Sequence, residues 1–142
     1  MSAYAMILDA LQGDATLAGI LTGGVYDGME VSDISRQATP AAYDAYSELK
    51  PCAILKPETQ APAGPHPDSS RLYVTIWFYQ QSSSAAIDAG RERVYHLLHR
   101  ATLAGSDGLW DVRHANDLLG IEMQALGVPA IMSRYVATVN RG

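Results

Sequence analysis

The chain has 142 residues, 48% of them apolar, with a formal net charge of −5 and a pI of about 5.2, which fits one domain (1–142) that can build a core without staples. The acidic balance argues against a dedicated nucleic-acid binder, which carries a basic face, although Arg134 and Arg141 could make a small basic patch. A single cysteine, Cys52, excludes an intrachain disulfide and a cysteine-cluster metal site; no signal-peptide pattern opens the chain, no apolar run approaches the roughly 20 residues that span a bilayer, and assembly in a cytoplasm is expected.

The first predicted element is an amphipathic helix over 2–12, where Tyr4, Ile7, Leu8 and Leu11 recur at helical spacing and Gly13 ends it. Asp14 is a good N-cap for a second helix over 15–21, with Leu17, Ile20 and Leu21 facing the core. Thr22-Gly23-Gly24 stops it. Val25-Tyr26-Asp27 is short enough to be only an edge strand. Segment 29–50 is a long loop of the kind that tends to be functional or flexible. Within it, residues 41–49 read as a helical turn or two, with Tyr43 and Tyr46 three apart.

Pro51 leads a strand, Cys52 to Lys56, from the position where a missing N–H does least harm. Residues 57–69 hold four prolines (Pro57, Pro62, Pro65 and Pro67), which give stiff, extended backbone unsuited to a central strand. Two readings stand for this stretch: a long projecting hairpin arm, or a disordered connector.

The strongest strand signal follows, Arg71 to Tyr79, dense in β-branched and aromatic residues. Leu72, Val74, Ile76 and Phe78 share one face; Tyr73, Thr75, Trp77 and Tyr79 share the other. Neither face suits water. The aliphatic face fits a covering helix. The aromatic face needs another partner, either a second copy of the chain or a long loop folded over it.

Gln80 to Ser84 is a polar turn. Residues 85–101 switch to the helical period, with Ile87, Val94, Leu97, Leu98 and Ala101 on one stripe. Residues 102–108 form a turn and 109–113 a strand. Residues 118–126 are ambiguous between strand and helix, Gly127-Val128-Pro129 breaks them, and 132–139 alternates as a final strand. The order predicts an α+β fold: one mainly antiparallel sheet, helices packed on one face, and a long hairpin arm.

No constellation carries chemistry. His96 and His99 are three apart on the long helix, but no His-Glu-x-x-His and no third ligand accompany them. Cys52 reads as a buried structural thiol. Ser82-Ser83-Ser84 is explained by helix capping, and no Gly-x-Ser-x-Gly is present. Gly23-Gly24 lacks a phosphate-loop lysine and reads as a helix stop. Catalytic, cofactor and metal residues are therefore each assigned as none. A small ligand-binding or enzymatic α+β dimer using His96, His99 or Cys52 is the alternative of a different class.

Leu8-Asp9-Ala10-Leu11, Asp14-Ala15-Thr16-Leu17-Ala18-Gly19-Ile20-Leu21 and Gly23-Gly24-Val25-Tyr26-Asp27-Gly28 resemble the opening of tailed-phage tail-terminator or tail-completion proteins, also found in prophages and gene-transfer agents. Pro51-Cys52-Ala53-Ile54 could supply that family's Pro-led strand, and Ser133 to Val139 is similar to its closing strand. Segment 29–50 is longer than the few residues usual there. The resemblance implies a virion neck protein assembled in the host cytoplasm. It would form a ring, commonly a hexamer, that caps the tail tube and meets a head-side connector or stopper. DNA would pass through the lumen without specific binding. On this reading Tyr73, Trp77 and Tyr79 pack subunits together, while Pro62, Pro65, Tyr43 and Tyr46 dock neighbouring rings. A head-completion stopper or another neck ring is the alternative within the same class.

Overall fold

The computed structural model describes residues 3–63, 66–81, 85–100, 109–123 and 128–140. Helices α1 (Ala3–Gln12) and α2 (Ala15–Ile20) open the chain, followed by the short strand β1 (Val25–Asp27). A single 3-10 turn, Pro40–Ala42, lies in the long segment before β2 (Cys52–Ala63). Then come β3 (His66–Tyr79), α3 (Ala85–Leu98), β4 (Leu109–Met123) and β5 (Val128–Asn140). The five strands form one sheet in the order β1-β2-β3-β5-β4, antiparallel except for β1 beside β2.

The alternation in β3 decides the layering. Leu72, Val74, Ile76 and Phe78 join Ala53, Leu55, Val112, Ile131, Tyr135 and Ala137 beneath the three helices. Ile7 and Leu11 of α1, Leu17 of α2, and Ile87, Val94 and Leu98 of α3 bury their apolar stripes there. Asp14 caps α2 as expected, accepting from the Leu17 amide at 2.8 Å. The same carboxylate takes two 2.9 Å hydrogen bonds from the Arg93 guanidinium, tying α2 to α3.

The Tyr26-Asp27-Gly28 signature is explained by what it touches. The Tyr4 hydroxyl lies 2.6 Å from Asp27 Oδ1 and 2.8 Å from the Leu55 carbonyl, pinning α1 to the β1 edge. Burial first, and then Asp27, push the Tyr4 phenol well above its usual range. The Gly28 amide donates to the Leu55 carbonyl at 2.7 Å, and a Cβ at Gly28 would sit 2.5 Å from that oxygen.

The proline-rich stretch is a paired hairpin. The β2–β3 ladder runs from Cys52↔Tyr79 to Ala63↔His66, with irregularities between Pro57 and Thr59 and between Pro62 and Ala63. β1 covers only Ala53 to Leu55, so Pro57 and Pro62 stand on a free edge, where a missing N–H breaks no ladder.

Boundaries beyond β3 also differ from the sequence expectation. Residues 109–113 and 118–123 belong to one strand, β4, because three register shifts let it bend while it stays paired to β5. β5 begins at Val128, before the expected 132, because Pro129 faces β4 alone beyond the Tyr79↔Ala130 pair. α3 ends at Leu98; Arg100 adopts a left-handed φ of 63° and its amide bonds the Val112 carbonyl. Ala101 and the expected 102–108 turn lie outside the described residues.

Residues 41–49 are not helical beyond the one 3-10 turn. The Asp44 carboxylate accepts from the amides of Tyr46 and Glu48, and Ser47 takes φ 62°. Tyr43 bridges Leu49, closing a tight hairpin with a five-residue tip. Local Asx bonding here outcompetes the helix.

Candidate interaction surface

The second sheet face carries the residues singled out for assembly, and it is divided. One half is covered by the chain's own 29–50 segment: Ile34, Ala42 and Leu49 pack on Cys52, Ile54, Tyr79, Val128 and Ala130. Tyr26, Val31, Tyr43 and Trp77 pack partly buried against that cluster. The loop folding over the aromatic face was one of the two expected covers, and over this half it is the one present. Tyr79 is 1% exposed beneath it, so its ring offers no surface to another chain in this fold. Its phenol is pushed far up, by burial first, then by Asp33 and Cys52.

Among the described residues, nothing comparable covers the other half. Cross-strand rows place Thr59, Tyr73, Val136 and Arg113 side by side, then Lys56, Thr75, Arg134 and Asn116, with Arg71 and Thr138 beyond. Tyr73, Thr75, Trp77, Val136 and Thr138 are half-buried, whereas Arg71, Arg113 and Asn116 are exposed. Arg134 lies 4.9 Å over the Tyr73 ring and pairs with Glu58 at 2.9 Å. Sequence reading placed Tyr73 and Trp77 on this face and named Arg134 for a small basic patch, but missed Lys56, Arg71 and Arg113. No local pattern groups them: strand pairing brings Arg71, Arg113 and Arg134 into neighbouring rows.

The docking candidates divide as well. Tyr43 is half-buried, with Arg36 stacked 5.2 Å over its ring. Tyr46 stands 87% exposed at the tip of the 43–49 hairpin. Pro65 lies outside the described residues, and of Pro62 only the backbone is described.

A polar cluster lies on the helix-bearing side, between α3 and β4. Asp117 accepts from Ser133 Oγ at 2.6 Å and meets His114 Nε2 at 2.9 Å and Arg91 at 3.0 Å. Burial pushes the Asp117 carboxyl up, but the Ser133 hydroxyl, His114 and Arg91 outweigh it and hold the group below its ordinary value. Arg91 also pairs with Asp88 at 2.8 Å. Tyr95 stacks on His99 at 4.7 Å, and His99 Nδ1 accepts from the His114 amide. Arg91, Glu92, Tyr95, His96, His114 and Asp117 line a shallow cleft of about 330 Å³.

Cys52 is fully buried on the opposite face of the sheet from α3, and burial raises its thiol to about 12. It is therefore not brought together with His96 or His99. Among the described residues, no three His, Cys, Asp or Glu side chains are grouped to hold a metal. No described helix is long and apolar enough to cross a membrane.

No family model matches the chain, and no curated protein matches it. Among solved structures, a chain of the "Virion of native gene transfer agent (GTA) particle" shares this fold with a TM-score of 0.73. The match covers 98% of this chain and 95% of that one at 18% identity.

Proposed function

We propose that this chain is a structural protein of a phage-like virion, without catalytic activity. Within the virion it is a tail terminator: a ring at the neck that caps the tail tube and meets the head-side connector or stopper. The observation that carries this reading is the end-to-end likeness to a chain from a gene transfer agent virion, at a TM-score of 0.73. The opening Tyr26-Asp27-Gly28 signature supports the finer role, and its hydrogen bonds explain why those residue types stand there.

The surface fits an assembly protein. A sheet face half covered by the chain and half left open, with Tyr73 and Trp77 partly exposed, suits subunit packing. Tyr46 and the β2–β3 hairpin are projections suited to reaching neighbours. DNA would pass through the ring without specific binding.

The experiment is to mix the purified protein separately with isolated tail tubes and isolated head connectors and to image both. Terminator function predicts density capping the tube end. Binding to the connector alone would instead make it a stopper, and binding to neither would refute the neck assignment.

A further inference from the structure

We propose that the outer edge of β4 from Asp117 to Met123 receives an added strand from another protein, an extended segment that alternates basic and apolar side chains. The proposal goes beyond the virion reading, which names no such site.

A sheet edge presents unpaired N–H and C=O groups, and a chain blocks such an edge unless a partner pairs with it. Among the described residues, the other edges of this sheet are blocked. On β1, the Val25 carbonyl accepts from Gln12 Nε2 at 3.0 Å, and the Asp27 carbonyl accepts from the Glu30 and Val31 amides, both at 3.0 Å. Beyond β1, the outward positions of β2 are Pro57, Gln60 and Pro62, opposite Val74, Leu72 and Ser70, alternate residues of β3. Two of those three have no N–H to offer. On the first half of β4, the end of α3 fills the edge. The Arg100 amide donates to the Val112 carbonyl at 2.7 Å, and the His114 amide donates to His99 Nδ1 at 3.1 Å.

The second half of β4 is different. Val112, His114 and Asp117 lie opposite Ala137, Tyr135 and Ser133, alternate residues of β5, so all three turn their backbone groups away from it. Glu122, opposite Pro129, follows the same alternation. Among the described residues, no backbone hydrogen bond from outside the strand meets this run. The register shift between Leu118 and Ile121 bends the run but brings no partner to it. Residues 115–123 contain neither proline nor lysine, the residues that blunt an edge. Leu118 and Leu119 stand beside it, 47% and 61% exposed.

The occupant is another protein because a second copy has no strand to give. Its β1 and β2 edges are blocked, and β4 against β4 makes a closed two-fold dimer. Excluding that dimer rests on the ring reading above. The partner's chemistry follows from what its strand would lie against. On the helix side it would pass the cleft of about 330 Å³, where Glu92 and Asp117 stand with Arg91, itself paired to Asp88. Three carboxylates share one guanidinium there, and Arg100 sits beside Val112 at the blocked half. That balance favours a basic side chain, for which the exposed Tyr95 ring adds an aromatic face. On the opposite side the strand would meet Leu118, in one row with Trp77 and Met132, which favours an apolar side chain. Alternate positions of one extended segment satisfy both.

The probe is a short acetylated peptide alternating valine and lysine, titrated against the full chain and followed by fluorescence anisotropy and by amide exchange in β4. It should bind and slow exchange at Asp117 and Glu122. The same peptide with alternate amides N-methylated keeps its charge but cannot pair, and should bind about a hundredfold more weakly. A valine–glutamate peptide should bind about tenfold more weakly than the valine–lysine one. Leu118→Lys with Leu119→Lys, at two exposed positions, should abolish binding while thermal melting and ring mass match the parent. Equal binding of the N-methylated peptide would overturn strand addition. Equal binding of the valine–glutamate peptide would overturn the stated partner chemistry. A parent that binds no valine–lysine peptide would overturn the proposal and leave the ring reading intact. A parent that runs as a two-fold dimer, dissolved by the two leucine changes, would make the occupant a second copy and overturn the proposal and the ring reading together.

Discussion

Tyr135 is fully buried, and its hydroxyl has no hydrogen-bond partner among the described residues. A buried phenol without a partner forfeits its water hydrogen bonds for nothing. Burial first, then nearby Asp117, push its ionisation far up. Tyr135→Phe should therefore hold or raise stability, by about 1 kcal/mol, or roughly 3 °C in Tm by calorimetry. Gly28→Ala should do the reverse. Its Cβ would press on the Leu55 backbone oxygen, where nothing flexible can yield, and a loss of about 2 kcal/mol is expected in chemical denaturation. Asp117 makes a pH prediction. Its carboxyl is held low in the folded chain, so it contributes stability above the unfolded value near 4. That contribution disappears as pH falls through the lower folded value. Asp117→Asn should flatten the acid limb of the stability curve and lower Tm at pH 7. An unchanged acid limb would show that Ser133, His114 and Arg91 do not hold the charge.

At the scale of elements, the 29–50 segment behaves as a second core cover. Ile34 is its buried anchor, so Ile34→Ala should cost about 2–4 kcal/mol and make 29–50 more susceptible to limited proteolysis. Trp77 shares that cover, which makes Trp77→Ala a test of folding as much as of assembly. Tyr73, on the open half, reports on the interface more cleanly. The helices, the β3 faces, the Asp14 cap and the β1 edge strand were legible in the sequence because each depends on local period or capping. The hairpin tip at 43–49 was not, because Tyr43 and Tyr46 share a helical spacing that the Asp44 turn overrides. At helix α3, Gln80 Oε1 accepts from the Ala86 and Ile87 amides, a cap the sequence reading did not name; the serines at 82–84, read as caps, lie outside the described residues. The unity of β4 was hidden by its three register shifts, which break the period-two pattern.

At the scale of the molecule, the site was only half legible. Alternation in β3 exposes the aromatic face, but which half the loop covers depends on packing between residues as distant in sequence as Ile34, Tyr79 and Ala130, and no local pattern encodes that. The cationic patch likewise appears only once β3, β5 and β4 are set in register. The central claim is that this surface serves assembly of a neck ring. Its most direct test is the mass of the purified full chain by light scattering after size exclusion, over a hundredfold concentration range, with negative-stain images of the same fractions. The account predicts closed rings of about six 15.3 kDa subunits at the upper concentrations. A monomer throughout, or a closed two-fold dimer, would contradict it.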